Sequence, residues 1–236
     1  MANSTFKPSY CLLLALFTPS LPYTPTPSLP HSIPLEYQSV FLSERASPNH
    51  RRPRRRLGGR DSGYVCAISP GLLEWEHNLV WSDRPLFVWN APPEVTMQRL
   101  EVVDHTERLV WEKSLAAADR TAQYEGQPLQ PGQFYTWRLH WRVQNAQYSA
   151  DYTFQLMEAD QRNQITADLQ SLTRQLQASG LSPEGIARQQ IDYLLNQPEP
   201  LWSDALQTLY EIENPSTETT QEIQTWINTA CGQEEN

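Results

Sequence analysis

Glu74 and Glu76 flank Trp75, and Trp81 follows a few residues later. Two carboxylates on one side of an extended segment suit glycoside chemistry, in which one protonates the leaving oxygen and the other acts as base or nucleophile. Trp75, Glu76 and Trp81 therefore stand as a candidate for a carbohydrate-binding module or an unrecognised hydrolase, to be judged by whether they line one concave site. Asp104 and His105 form the other neighbouring acid and imidazole. They fall in a turn between two strand-like runs and read as a hairpin pair facing solvent. The five histidines, His31, His50, His77, His105 and His140, have neither HExxH nor metal-ligand spacing. There is no GxSxG, no GxxxxGK[ST] and no GxGxxG, and the three cysteines contain no CxxC, so neither a zinc site nor a redox pair is indicated. No catalytic residue, metal or cofactor is expected.

The stretch LQPGQFYTWRLHWRV, residues 129–143, raises a second chemistry, because Tyr, Trp and Arg together stack on rings and pair with anions. Its period decides against that. Tyr135, Trp137, Leu139, Trp141 and Val143 fall on one face of a strand, and Thr136, Arg138, His140 and Arg142 on the other. The aromatic set is expected in a core and the arginines on a solvated sheet face.

What must position these groups is a β region followed by helices. Short apolar runs at 85–90, 99–105, 108–113 and 152–157 are separated by turn residues such as APPE, DHTE, EGQPLQPG and QNAQ, the pattern of a small all-β unit. After Met157 the period becomes helical. Ile165, Leu169, Leu172 and Leu176 lie about one turn apart, and the helix is expected to stop at Gly180. A second helix opens at Ser182 and Pro183 and carries Ala187, Ile191, Leu194 and Leu195 inward. A third presents Trp202, Ala205, Leu206, Leu209 and Tyr210, and a fourth Ile223, Trp226, Ile227 and Ala230.

The chain has 236 residues and a net charge of -9, distributed unevenly. Residues 1–60 carry 8 Lys or Arg against 2 acids, while 61–236 carry 10 against 25. The acidic body disfavours phosphate backbones, so specific nucleic-acid binding is not expected. Residues 1–17 contain an apolar run, Cys11–Phe17, that is a candidate export signal and too short to span a bilayer. Residues 18–60 read as a disordered arm rich in Pro and Ser, ending in RRPRRRLGGR. Arg51, Arg52, Arg54, Arg55 and Arg56 make it a candidate anion-binding arm of a non-specific kind. Residues 61–157 and 158–232 are the expected β and helical domains.

If the leading segment is removed, Cys11 leaves with it. Cys66 then opens the β unit and Cys231 closes the last helix, an arrangement that reads as a disulfide in an oxidising compartment. The bridge would enclose about 165 residues, and the chain-entropy model assigns it about 5 kcal/mol.

Leu129, Pro131, Gly132, Tyr135 and Trp137 in LQPGQFYTW resemble the turn and late strand of fibronectin type III and related immunoglobulin-like domains. That likeness implies a β-sandwich in which the tyrosine packs back across the corner. Residues 187–212 are similar in size and alanine placement, Ala187 and Ala205, to one tetratricopeptide-type helical hairpin, with no second copy at a 34-residue period. The Arg-rich arm with Gly58 and Gly59, Cys66, SDRPLFVW, LQPGQFYTW and ALQTLYEI together resemble an uncharacterised cyanobacterial family, domain-of-unknown-function family 928 (DUF928). Its members are typically exported, and it supplies no catalytic residues. The expectation is thus an immunoglobulin-like or fibronectin type III-like β-sandwich followed by a small all-α helical unit. Its role would be that of an exported, secreted or periplasmic, interaction protein whose partner is another protein or an envelope polymer.

Overall fold

The computed structural model describes residues 65–71 and 78–232. The apolar run, the Pro/Ser-rich arm, its arginines Arg51, Arg52, Arg54, Arg55 and Arg56, and also Glu74, Trp75 and Glu76 lie outside the described residues.

Eight strands come first: β1 (Cys66–Ser69), β2 (Leu79–Val80), β3 (Leu86–Asn90), β4 (Val95–Asp104), β5 (Leu109–Ser114), β6 (Thr121–Gln123), β7 (Phe134–Val143) and β8 (Ala146–Leu156). They form two open sheets, one of three strands in the order β1-β3-β6 and one of five in the order β2-β8-β7-β4-β5. Four helices follow, α1 (Ala159–Ala178), α2 (Pro183–Leu195), α3 (Trp202–Tyr210) and α4 (Thr217–Ala230).

The alternation of β7 is realised as its period dictates. Tyr135, Trp137, Leu139 and Trp141 are buried, while Arg138, His140 and Arg142 lie on the opposite face. Between the sheets this aromatic row meets Phe87 and Trp89 of β3, Leu100 and Val102 of β4, and Phe154 of β8. At the turn before β7 the Tyr135 hydroxyl accepts a hydrogen bond from the Gln130 N–H at 2.8 Å, closing the corner that LQPGQFYTW implies. Gly132 suits the left-handed backbone there. Its φ is +74°, and a Cβ would come within 2.7 Å of the Glu158 carboxylate.

The expected immunoglobulin-like or fibronectin type III-like sandwich followed by a separate helical unit is corrected by two findings. First, the five-stranded sheet is mixed, because β2 pairs parallel to β8 while the other pairs are antiparallel. Second, the three-stranded sheet has no free face. Phe87 and Trp89 point into the core between the sheets, whereas Leu86 and Val88, with Ile68 of β1, belong to the core formed by the helices. A strand buried on both sides reads as an unbroken apolar run, which is what LFVW is. The body therefore has three layers, five-stranded sheet, three-stranded sheet and helices, and the middle one is shared.

The helices begin and end where their local chemistry directs. The Ser182 hydroxyl accepts from the Gly185 N–H at 3.1 Å and the Ser216 hydroxyl from the Thr219 N–H at 3.1 Å, each capping a helix start. Gly180, at φ +77°, follows the end of α1. Among the described residues, no helix is long and apolar enough to cross a membrane. Cys66 and Cys231 lie at disulfide distance, with their Cα atoms 5.9 Å apart, and join the start of β1 to the end of α4.

Candidate functional site

The loop Trp81–Arg84, ahead of β3, is where helices and strands are joined. Asp204, in the first turn of α3, reaches back to it and accepts the Trp81 N–H at Oδ2 and the Ser82 N–H at Oδ1, both at 2.8 Å. Arg162 of α1 donates Nε to the Trp81 carbonyl at 2.7 Å and pairs with Asp83 at 3.0 Å. The Gln207 side chain accepts from the Leu86 N–H at 3.0 Å. Asp204 is 3% exposed, and burial pushes its pKa up to about 6 against the opposing pull of the two N–H groups and of Arg162.

Trp81 itself is half-buried, and its indole N–H points at the Thr166 hydroxyl at 3.2 Å and the Arg162 carbonyl at 3.3 Å. Beside it α1, α2 and α3 leave an open groove of about 500 Å³. Leu169 and Leu194, both buried, lie at its floor, and Gln170, Gln190 and Arg174 form its polar lining, with Glu211 from the end of α3. The Gln190 amide is held by the Thr173 hydroxyl at 2.8 Å. Of the three helical arginines, Arg162 pairs with Asp83 and Arg188 with Glu222, whereas Arg174 makes no ion pair among the described residues. The groove thus offers amides, hydroxyls, an apolar strip and one charge of each sign. That lining suits hydrogen bonding and packing.

The face of the five-stranded sheet that no described residue covers holds a second cluster. His140 Nε2 lies 3.1 Å from Glu101 Oε2, an imidazole and carboxylate pair that is not adjacent in sequence. Ser114 lines the same shallow depression of about 320 Å³, which invites comparison with a hydrolytic triad. The register excludes it. Ser114 pairs with Arg99 and Arg99 with His140, so β4 lies between serine and imidazole, and two strand spacings amount to about 9–10 Å. The neighbouring charges are closed on themselves. Arg138 takes Asp151 in a two-pronged contact at 2.9 and 3.0 Å and Glu107 at 3.2 Å, and Arg99 takes Glu101 at 2.9 Å. Those hydrogen bonds, Asp151 first, hold the Arg138 guanidinium above its ordinary pKa. This is the solvated sheet face expected of Arg138, His140 and Arg142. Because the partners Asp151 and Glu107 lie at the solvated surface, 48% and 70% exposed, Arg138→Ala is expected to change stability by no more than about 1 kcal/mol in urea unfolding.

Asp104 is a turn former. Its carboxylate accepts the Thr106 hydroxyl at 2.6 Å, the Thr106 N–H at 2.8 Å and the Arg108 N–H and Nε, which hold it well below the usual carboxylate range. His105 is exposed beside it. Of the carbohydrate candidate, only Trp81 is described, and it lines the helical groove rather than a carboxylate pair. Sequence reasoning missed Asp204 and Gln207 because a polar residue in the first turn or on one face of an amphipathic helix signals solvent, and their partners lie more than 120 positions away.

No family model and no curated protein matches the chain. A crystal structure of a β-glucuronidase from Parabacteroides merdae is similar at a TM-score of 0.26 and 11% identity, over 39% of this chain. The match spans 13% of that enzyme's length, and a likeness at this level carries no argument about fold or activity.

Proposed function

We propose that this chain is an exported, non-enzymatic interaction protein that receives an extended segment of another protein in the groove between α1, α2, α3 and Trp81. The groove's lining carries the reading. The Gln170 and Gln190 amides match the alternating N–H and C=O groups of a main chain, the partly exposed Trp81 ring offers an apolar contact, and Arg174 offers a cation that no carboxylate of the described residues neutralises. The Cys66–Cys231 pair supports an oxidising compartment, secreted or periplasmic, as does the apolar run near the start of the chain. The candidate anion-binding arm, Arg51 to Arg56, would then act as a non-specific aid to capture.

The test is capture from a cell-envelope fraction with full-length protein and with the double variant Gln170→Glu, Arg174→Glu. Both positions are exposed, so the variant is expected to fold as the parent does. One protein should be retained by the parent and reduced about tenfold or more in the variant, the loss of one charge-assisted contact. Equal retention would remove the groove from consideration. Retention of a glycan polymer, with Trp81 and the undescribed Trp75 and Glu76 contributing, would replace this reading by the carbohydrate-binding one.

A further inference from the structure

We infer that α4 is a redox-held latch, docked while the Cys66–Cys231 bridge is intact and released when a dithiol reduces it. The inference is independent of the groove, which α4 does not line. α4 is poorly anchored for its length. Of its 14 residues only Thr219, Ile223 and Ala230 are fully buried, while Trp226 and Ile227 are partly buried against the helical core. Its polar contacts run to α2: Arg188 reaches Glu222 at 2.9 Å and Thr219 at 2.6 Å, while Glu184 receives the Thr219 and Ser216 hydroxyls. Towards α3 its contact is apolar: Trp202 and Trp226 pair with centroids 5.3 Å apart, and Ile223 and Ala230 join the helical core. A helix of this length is marginal in water on its own, so what holds it must come from docking.

The bridge sits at the one end where release would be most effective. Cys231 caps the C-terminus of α4 and is tied to the first residue of β1, far from the linker that precedes the helix. That linker contains Asn214 at φ +54° followed by Pro215, a turn about which a freed α4 would swing. Both cysteines are only partly buried, at the edge of the helical core, which leaves a thiolate an approach to the bridge. One thiolate of the dithiol attacks one sulfur to give a mixed disulfide, and its second thiolate resolves it. The dithiol leaves as its own disulfide, and Cys66 and Cys231 each gain one electron and one proton.

Hydrogen exchange on the full chain, with and without a dithiol, tests this. In the reduced protein the α4 amides are expected to exchange within about tenfold of the unprotected rate, while those of β4 and β7 stay slowed by about 1,000-fold or more. The double variant Cys66→Ser, Cys231→Ser should give the same pattern without reductant. If α4 keeps the protection it has in the oxidised protein, the latch does not exist. Loss of protection in β4 and β7 together with α4 would equally overturn it, since the bridge would then hold the whole fold.

Discussion

Trp137→Ala is expected to lower folding stability by about 3–5 kcal/mol, the usual cost of removing a large aromatic from a packed core. Trp137 is fully buried and lies where three elements converge. Its ring centroid is 5.2 Å from that of Phe87 on β3 and 4.9 Å from that of Tyr152 on β8, and its indole N–H donates to the Pro70 carbonyl at 2.8 Å. Truncation opens a cavity between the sheets and leaves that carbonyl without its donor, so packing and hydrogen bonding are lost together. Urea unfolding should show a lower midpoint with an unchanged slope. Phe134→Ala, on the same strand but 50% exposed, serves as the control and should stay within about 0.5 kcal/mol. A shift below about 1 kcal/mol for Trp137→Ala would mean that the aromatic row is not the centre of the core.

Asp204 should give the second large effect, visible only as a function of pH. Its folded pKa, about 6, lies above its ordinary value of 3.8, so between these limits the folded chain binds more protons than the unfolded one. Stability from this group is therefore fully present below about pH 4 and is lost as pH rises through 6, by an amount on the order of 3 kcal/mol. Asp204→Asn has no such titration but keeps one acceptor for the Trp81 and Ser82 N–H groups. The variant is expected to be the less stable protein at pH 4 and to gain on the parent steadily up to pH 7. Midpoints measured across that range in urea check this, because every other carboxylate cancels in the difference. Parallel pH profiles for the two proteins would show that the buried carboxylate does not titrate there.

The candidate groove was legible only in its parts. Leu169 and Leu194 announce themselves as inward positions of amphipathic helices, but Gln170, Arg174 and Gln190 look like any polar helix face. What makes them a site is the crossing of α1 over α2 and the arrival of Trp81 from a loop some 85 residues earlier in the chain. In the sequence the ring of Trp81 reads as a stacking surface. In the fold its N–H and main chain hold Arg162, Thr166 and Asp204, so it acts first as a joint and only secondarily as lining.

Local chemistry determined most of the individual elements. The two-residue period placed Trp137 and Trp141 inward and Arg138 outward, Ser182 and Ser216 set helix starts, and Gly180 set a helix end, because each rests on contacts within a few residues. The Cys66 and Cys231 pairing was also within reach, since few partners were available. The tertiary structure alone decided how the layers share their surfaces. Nothing local tells β3 that Leu86 and Val88 will be covered by helices that begin some seventy residues later, or that β2 will lie parallel to β8. Those choices follow from the total apolar area the whole chain removes from water and from where buried groups such as the Trp81 and Ser82 N–H find an acceptor. Both quantities exist only once distant segments have met.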